Sequence, residues 1–182
     1  MIPETFTADY VGQPGERTFY LQATTTSGTR SYLVEKQQVL VLAERLKEML
    51  LAIDSEDTVV SAQPARDPSM RLVAPVEPEW RVGTMGIAYE EETDRIVLAC
   101  EPIEESTDPD SEDEALEQVL ADVLGANPDG VRFFLRRDQV RSFVLHSTAV
   151  VAEGRPTCQL CGLPMDPDGH FCPATNGHKT EA

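Results

Sequence analysis

The segment CQLCGLPMDPDGHFC, from Cys158 to Cys172, gathers three cysteines and a histidine within fifteen residues. Thiolate and imidazole are the ligands that zinc takes in tetrahedral sites, commonly as two close pairs. Cys158 and Cys161 have the C-x-x-C spacing of a knuckle, and Gly162 follows where a left-handed backbone lets the chain reverse. His170 and Cys172 stand two apart, which on an extended strand puts them on the same side. Pro164, Pro167 and Asp168-Gly169 are turn formers that fold one pair toward the other. The set reads as Zn2+ held by Cys158, Cys161, His170 and Cys172, with His178 the alternative to His170. An iron centre or free thiols are the competing occupants.

A zinc ion held this way is expected to be structural. Catalytic zinc keeps a position for water beside three protein ligands, whereas this set offers four, and its thiolates blunt the Lewis acidity of the ion. Asp166 and Asp168 read as turn residues rather than as a base. A redox C-x-x-C sits at a helix N-terminus that lowers its thiol pKa, and Gly-Leu-Pro after Cys161 argues against a helix. A tail of residues 155–182 buries too little to order itself, so a metal would supply the folding free energy directly.

The remaining 154 residues must support that tail, and 182 residues fit one α+β domain, 1–154, plus the appendage. No run reaches the roughly 18 apolar residues of a membrane span, and the first residues, MIPETFTADYVGQPG, lack a secretory pattern. A soluble, cytoplasmic protein is expected, where reductants favour metal binding over disulfides at clustered cysteines. Cys100, apart from the others in IVLAC, reads as a small buried hydrophobe. The net charge is −17, and fifteen acidic residues against the single basic Arg95 fall between Glu90 and Asp129. Wrapping a nucleic acid needs a positive footprint that this chain lacks, and its tail offers only Arg155 and Lys179.

Thr18–Ala23 and Arg30–Glu35 predict a β-hairpin about Ser27-Gly28, entered from a GQPG turn at 12–15. Val39, Leu42, Ala43, Leu46, Leu50 and Ile53 form one stripe of a helix over 37–53, and Leu40, Val41 and Leu51 widen it, which reads as a well-buried helix, with burial on two sides or a surface for a partner or a second copy as the alternatives. Residues 54–79, with four prolines, predict a long surface connection. Trp80–Tyr89 and Arg95–Glu101 predict a second hairpin. Ser111 and Glu114 then form a capping box for a helix to Leu124. Val131–Leu135 predicts a strand and Asp138–Glu153 a helix, with Val140, Phe143, Val144, Ser147 and Val151 inward, Gly154 as its stop and His146 exposed. SYLVEKQQV at 31–39 echoes RFFLRRDQV at 132–140, each a strand running into a helix. We therefore expect an antiparallel sheet of about five strands, built from two related strand–strand–helix units with helices on one face.

Arg132, Arg136, Arg137 and Arg141 are the one basic cluster, and Arg suits planar recognition of phosphate or carboxylate. Gly83 and Gly86 in RVGTMG mark a bulge or a close backbone approach within a strand. A small anionic ligand held by Arg132, Arg136 or Arg141 near Gly83 and Gly86 is one functional expectation, as substrate or as bound ligand; pairing of the arginines with the acidic stretch is the other. No Walker, nucleophile-elbow or H-E-x-x-H motif occurs, which favours a non-enzymatic binding protein over an enzyme.

VGQPGERTFYLQ, LVEKQQVLVLAERL, EWRVGTMGIAY and GRPTCQLCGLPMDPDGHFCPATNG together resemble an uncharacterised, mainly actinobacterial family, domain of unknown function 3090. The resemblance covers nearly the whole chain except the acidic segment around 104–125. It implies a cytoplasmic bacterial protein whose gene neighbours encode kinase-like and histidine-phosphatase-like proteins, and it implies no established activity.

Overall fold

The apolar residues of the strands recur at every second position, and those of the two long helices at helical spacing, so sheet and helices each have one face to bury. The structure, a computed structural model, describes residues 1–53, 62–103, 129–153, 158–161, 170–175 and 179–180; for 170, 171, 175, 179 and 180 it describes the backbone. The expected helix from the Ser111 cap to Leu124, the Gly154 stop, the turn residues 162–169 and His178 lie outside these.

Three strands, β1 (Thr5–Val11), β2 (Thr18–Thr25) and β3 (Gly28–Val34), lead into helix α1 (Lys36–Ile53). Three more, β4 (Pro78–Glu90), β5 (Arg95–Pro102) and β6 (Val131–Leu135), precede helix α2 (Arg137–Ala152). The six form one mixed sheet in sequence order. Every neighbouring pair is antiparallel except β3 and β4, which run parallel. This corrects the expectation of an all-antiparallel sheet of about five strands. A parallel neighbour requires a crossover long enough to bring the chain back to the same end, and α1 with the connection after it supplies one. β1 is the strand that the sequence reading did not find.

One face of the sheet carries Phe6, Ala8, Phe19, Leu21, Tyr32, Val34, Ile96, Leu98, Phe133 and Leu135, which form a single core with Leu42, Leu46 and Leu50 of α1 and Val140, Phe143 and Val144 of α2. The sheet curls until its outer strands meet. The Phe6 and Phe133 rings are 5.0 Å apart, and Phe6 lies 5.1 Å from Phe143. Met1 bridges the same gap, its amine donating to the Arg132 carbonyl at 2.6 Å and its carbonyl accepting from Phe134 N at 2.9 Å. The α1 stripe is buried as expected at Val39, Leu42, Ala43, Leu46 and Leu50, while Val41 is exposed.

Both strand-to-helix passages use the same device. Gln38 Oε1 accepts from Glu35 N at 2.8 Å, and Gln139 Oε1 accepts from Arg136 N at 3.0 Å, each satisfying a donor that the helix start leaves without a partner. The other end of each amide reaches across the sheet. Gln38 Nε2 donates to the Val82 and Gly83 carbonyls of β4, and Gln139 Nε2 donates to the Pro3 and Glu4 carbonyls at the head of β1.

Candidate metal centre and a buried polar cluster

Residues 158–161 form a turn that carries Cys158 at its start and Cys161 at its end, and Cys172 follows a short strand, β7 (His170–Phe171), paired with β8 (Lys179–Thr180). This local folding collects the thiols. The three Sγ atoms lie within 4.8 Å of one another, with Cys158 and Cys172 3.9 Å apart. None of the three forms a disulfide, whose S–S bond is roughly 2.05 Å. With Zn–S near 2.3 Å a tetrahedral site has edges of about 3.8 Å, so the Cys158–Cys172 separation already matches one such edge. Cys158 and Cys172 are buried, and with Cys161 they make a small cluster separate from the main core. Three thiols close to one another, with no apolar core around them among the described residues, suit a soft or borderline metal ion. His170, the fourth residue of the expected set, is paired through its backbone with Thr180.

The remaining expected site residues are dispersed. Gly86 and Arg132 flank Ala99 in one row across β4, β5 and β6. Gly83 sits at a β4 irregularity between Val82 and Met85, and the close backbone approach foreseen there is to the chain itself, since a Cβ at Gly83 would lie 2.8 Å from Ile103 Cα. Arg136 forms a two-pronged pair with Asp138, at 2.9 and 3.0 Å, and lines a cavity beside Thr5 and Met70. Gly83 lines a different cavity, against Gln38 and Val41. Arg141 lies half-buried on α2. Cys100 is buried as expected, and burial pushes its thiol pKa up.

A second polar constellation was not anticipated. His146, expected to be exposed, is buried at 1% exposure, and this is a correction. The chain over it comes from the connection: Asp67 N donates to His146 Nδ1 at 3.0 Å. That bond leaves the neutral imidazole with its proton on Nε2, which faces Asp9 Oδ2 at 3.8 Å. Asp9, also buried, accepts from Tyr10 N at 2.8 Å and pairs with Arg66. Arg66 reaches on to Glu153 Oε2 at 3.1 Å, which also accepts from the Tyr10 hydroxyl at 2.7 Å. Arg17 donates to the Glu153 carbonyl and lies 4.1 Å from the Tyr10 ring centroid. Burial lowers the His146 pKa, Asp9 and Arg66 acting in opposite directions after it, and burial followed by the Glu153 hydrogen bond raises that of Tyr10.

This cluster also explains the connection. Thr7 Oγ1 donates to the Met70 carbonyl at 2.6 Å, and the Gln22 amide brackets Val73 by bonding both its N and its O. Residues 66–73 are thereby fixed across β1 and β2. The available sequence signal was an acid, Asp9, in the middle of an otherwise strand-like TFTADYV.

Among the described residues no helix is long and apolar enough to cross a membrane. A family model described as Protein of unknown function (DUF3090) matches residues 1–172. No curated protein and no solved structure matches the chain.

Proposed function

For a chain that belongs to the DUF3090 family, we propose a non-enzymatic binding protein whose C-terminal tail is ordered by a structural zinc ion. The convergence of Cys158, Cys161 and Cys172 on one point carries this reading. His170, two residues before Cys172, is the fourth ligand by spacing. Three thiolates and an imidazole close the coordination shell, which suits a clip and leaves no position for an activated water. Clustered cysteines that form no disulfide fit a reducing cytoplasm. The bound partner is a small anionic molecule or a protein docking beside exposed Val41 on α1, which is also the surface for self-association.

Elemental analysis tests the clip. Wild type is expected to carry one zinc per chain, lost in Cys158→Ser and in His170→Ala but kept in His178→Ala, with the melting of the main core retained. A metal-free wild type whose melting and protease resistance ignore a chelator overturns the proposal.

We also infer that β1–β2–β3–α1 and β4–β5–β6–α2 are related units. The ladder supports this without reference to sequence similarity. Tyr10, Phe19 and Val34 lie opposite one another across the first three strands, and Tyr89, Ile96 and Leu135 across the second three. Val34 is four residues before Gln38, and Leu135 four before Gln139. The two glutamines thus occupy matching places and each donates to two successive carbonyls of the other unit, Gln38 within β4 and Gln139 just ahead of β1.

A further inference from the structure

The two units differ at one corner, where the ends of their first two strands meet the helix start. Arg17 stands two residues before Phe19 and Lys36 two after Val34; Asp94 and Arg137 hold the same places around Ile96 and Leu135. In the second unit the corner is closed internally. Arg137 Nε donates to Asp94 Oδ1 at 2.7 Å, its terminal nitrogen donates to the Tyr89 hydroxyl at 2.9 Å, and that hydroxyl donates to Asp94 at 2.8 Å.

The first unit keeps the tyrosine, Tyr10, and the helix cation, Lys36, but puts Arg17 where the other has its carboxylate. Among the described residues Lys36 makes no ion pair. Arg17, Lys36 and Arg81 line a cavity of about 420 Å³ whose apolar wall includes Phe19 and Leu33. Glu35 and Glu153 also line it, but Glu35 pairs with Arg81, and the Glu153 carboxylate is engaged by Tyr10 and Arg66. The cavity therefore carries a net positive charge in a chain of net charge −17. Arg17 is held in place by the Glu153 carbonyl and the Tyr10 ring, so a ligand would meet a fixed guanidinium, a geometry that favours planar oxyanions.

We propose that this cavity binds a small, multiply charged oxyanion, the phosphate or carboxylate of a soluble metabolite, which supplies beside Lys36 the negative charge that Asp94 supplies in the other corner. The proposal rests on the reading of the chain as a binding protein and is independent of the metal. Metal content measured on the same preparations separates failure here from failure of the clip.

The test is calorimetric titration of the full chain with inorganic pyrophosphate and, separately, with citrate. One saturable site per chain is expected for at least one probe: pyrophosphate alone identifies a phosphate ligand, citrate alone a carboxylate. Lys36→Gln, an exposed change that leaves the fold intact, is expected to weaken binding by about tenfold or more, the effect of one lost charge-assisted contact. Arg17→Asp rebuilds the closed corner beside Lys36 and is expected to abolish binding, while Arg45→Gln, which breaks only the exposed Arg45–Glu48 pair, leaves it within about twofold. Absence of saturable binding by both anions, or equal binding by Lys36→Gln and wild type, overturns the proposal.

Discussion

Replacing Arg66 with methionine tests whether the polar cluster is part of the load the fold carries. Asp9 is 4% exposed and Arg66 31% exposed. The substitution keeps most of the apolar stem and removes the charge, so Asp9 is left buried with Tyr10 N as its remaining bonded donor. Breaking a fully buried pair by removing one partner costs about 3–5 kcal/mol, mostly the penalty of an uncompensated charge. Arg66 is nearly a third exposed, and solvent screening brings the expectation down to about 2–3 kcal/mol. For a chain of this length that is a melting shift of roughly 4–12 °C. Urea denaturation monitored by circular dichroism measures it, with the metal content held constant. Asp9→Asn in the same chain removes the stranded charge, so the double variant is expected to recover at least half of the loss. A single-variant loss below about 1 kcal/mol, or strictly additive losses in the double variant, refutes the argument that the pair is desolvated and coupled.

Gln139→Ala removes a helix cap and two bonds to the head of β1, and is expected to cost about 1–2 kcal/mol; Gln38→Ala is expected to cost a similar amount, and urea midpoints compare them. Gly83→Ala puts a methyl 2.8 Å from Ile103 Cα, an overpacking expected to cost about 1–3 kcal/mol with no metal loss. Burial holds the folded pKa of His146 below its unfolded value. The unfolded chain therefore binds the extra proton first, and stability is expected to fall as pH drops below about 6.5. His146→Gln is expected to flatten that part of the profile, as read from melting temperatures between pH 5 and 8.

The sequence made the helices and the two long hairpins legible because each buries a face whose residues are spaced by the element's own period. Val39 to Leu50 and Val140 to Val151 fall on such stripes. The cysteine cluster was legible for a different reason, since ligand chemistry is carried by residue type and short spacing. What escaped was burial imposed from a distance. Thr7 and Asp9 give β1 a polar alternate face, and that face is covered by residues 66–73, a cover at which only the acid Asp9 within TFTADYV hints. His146, three residues after Phe143 and four before Val150, lies at the margin of the buried face of α2, and Asp67, 79 residues earlier, closes over it. The parallel pairing of β3 with β4 depends likewise on where a long crossover returns the chain.

The reciprocal glutamine bonds bear on the order in which a nascent chain can become stable. β1 is made before β2 and can pair with it at once, Glu4 N included through the Thr24 carbonyl, but the Pro3 and Glu4 carbonyls at its head accept from Gln139, 135 or more residues later. Met1 waits as long for Phe134. A chain halted before α2 would leave the Pro3 and Glu4 carbonyls uncapped beside a strand that stays at the edge of the sheet, and unpaired edge groups are a template for pairing with another such chain. The head of β1 is therefore completed only when α2 has emerged, and any delay between residues 53 and 131 lengthens the time for which its carbonyls must be shielded.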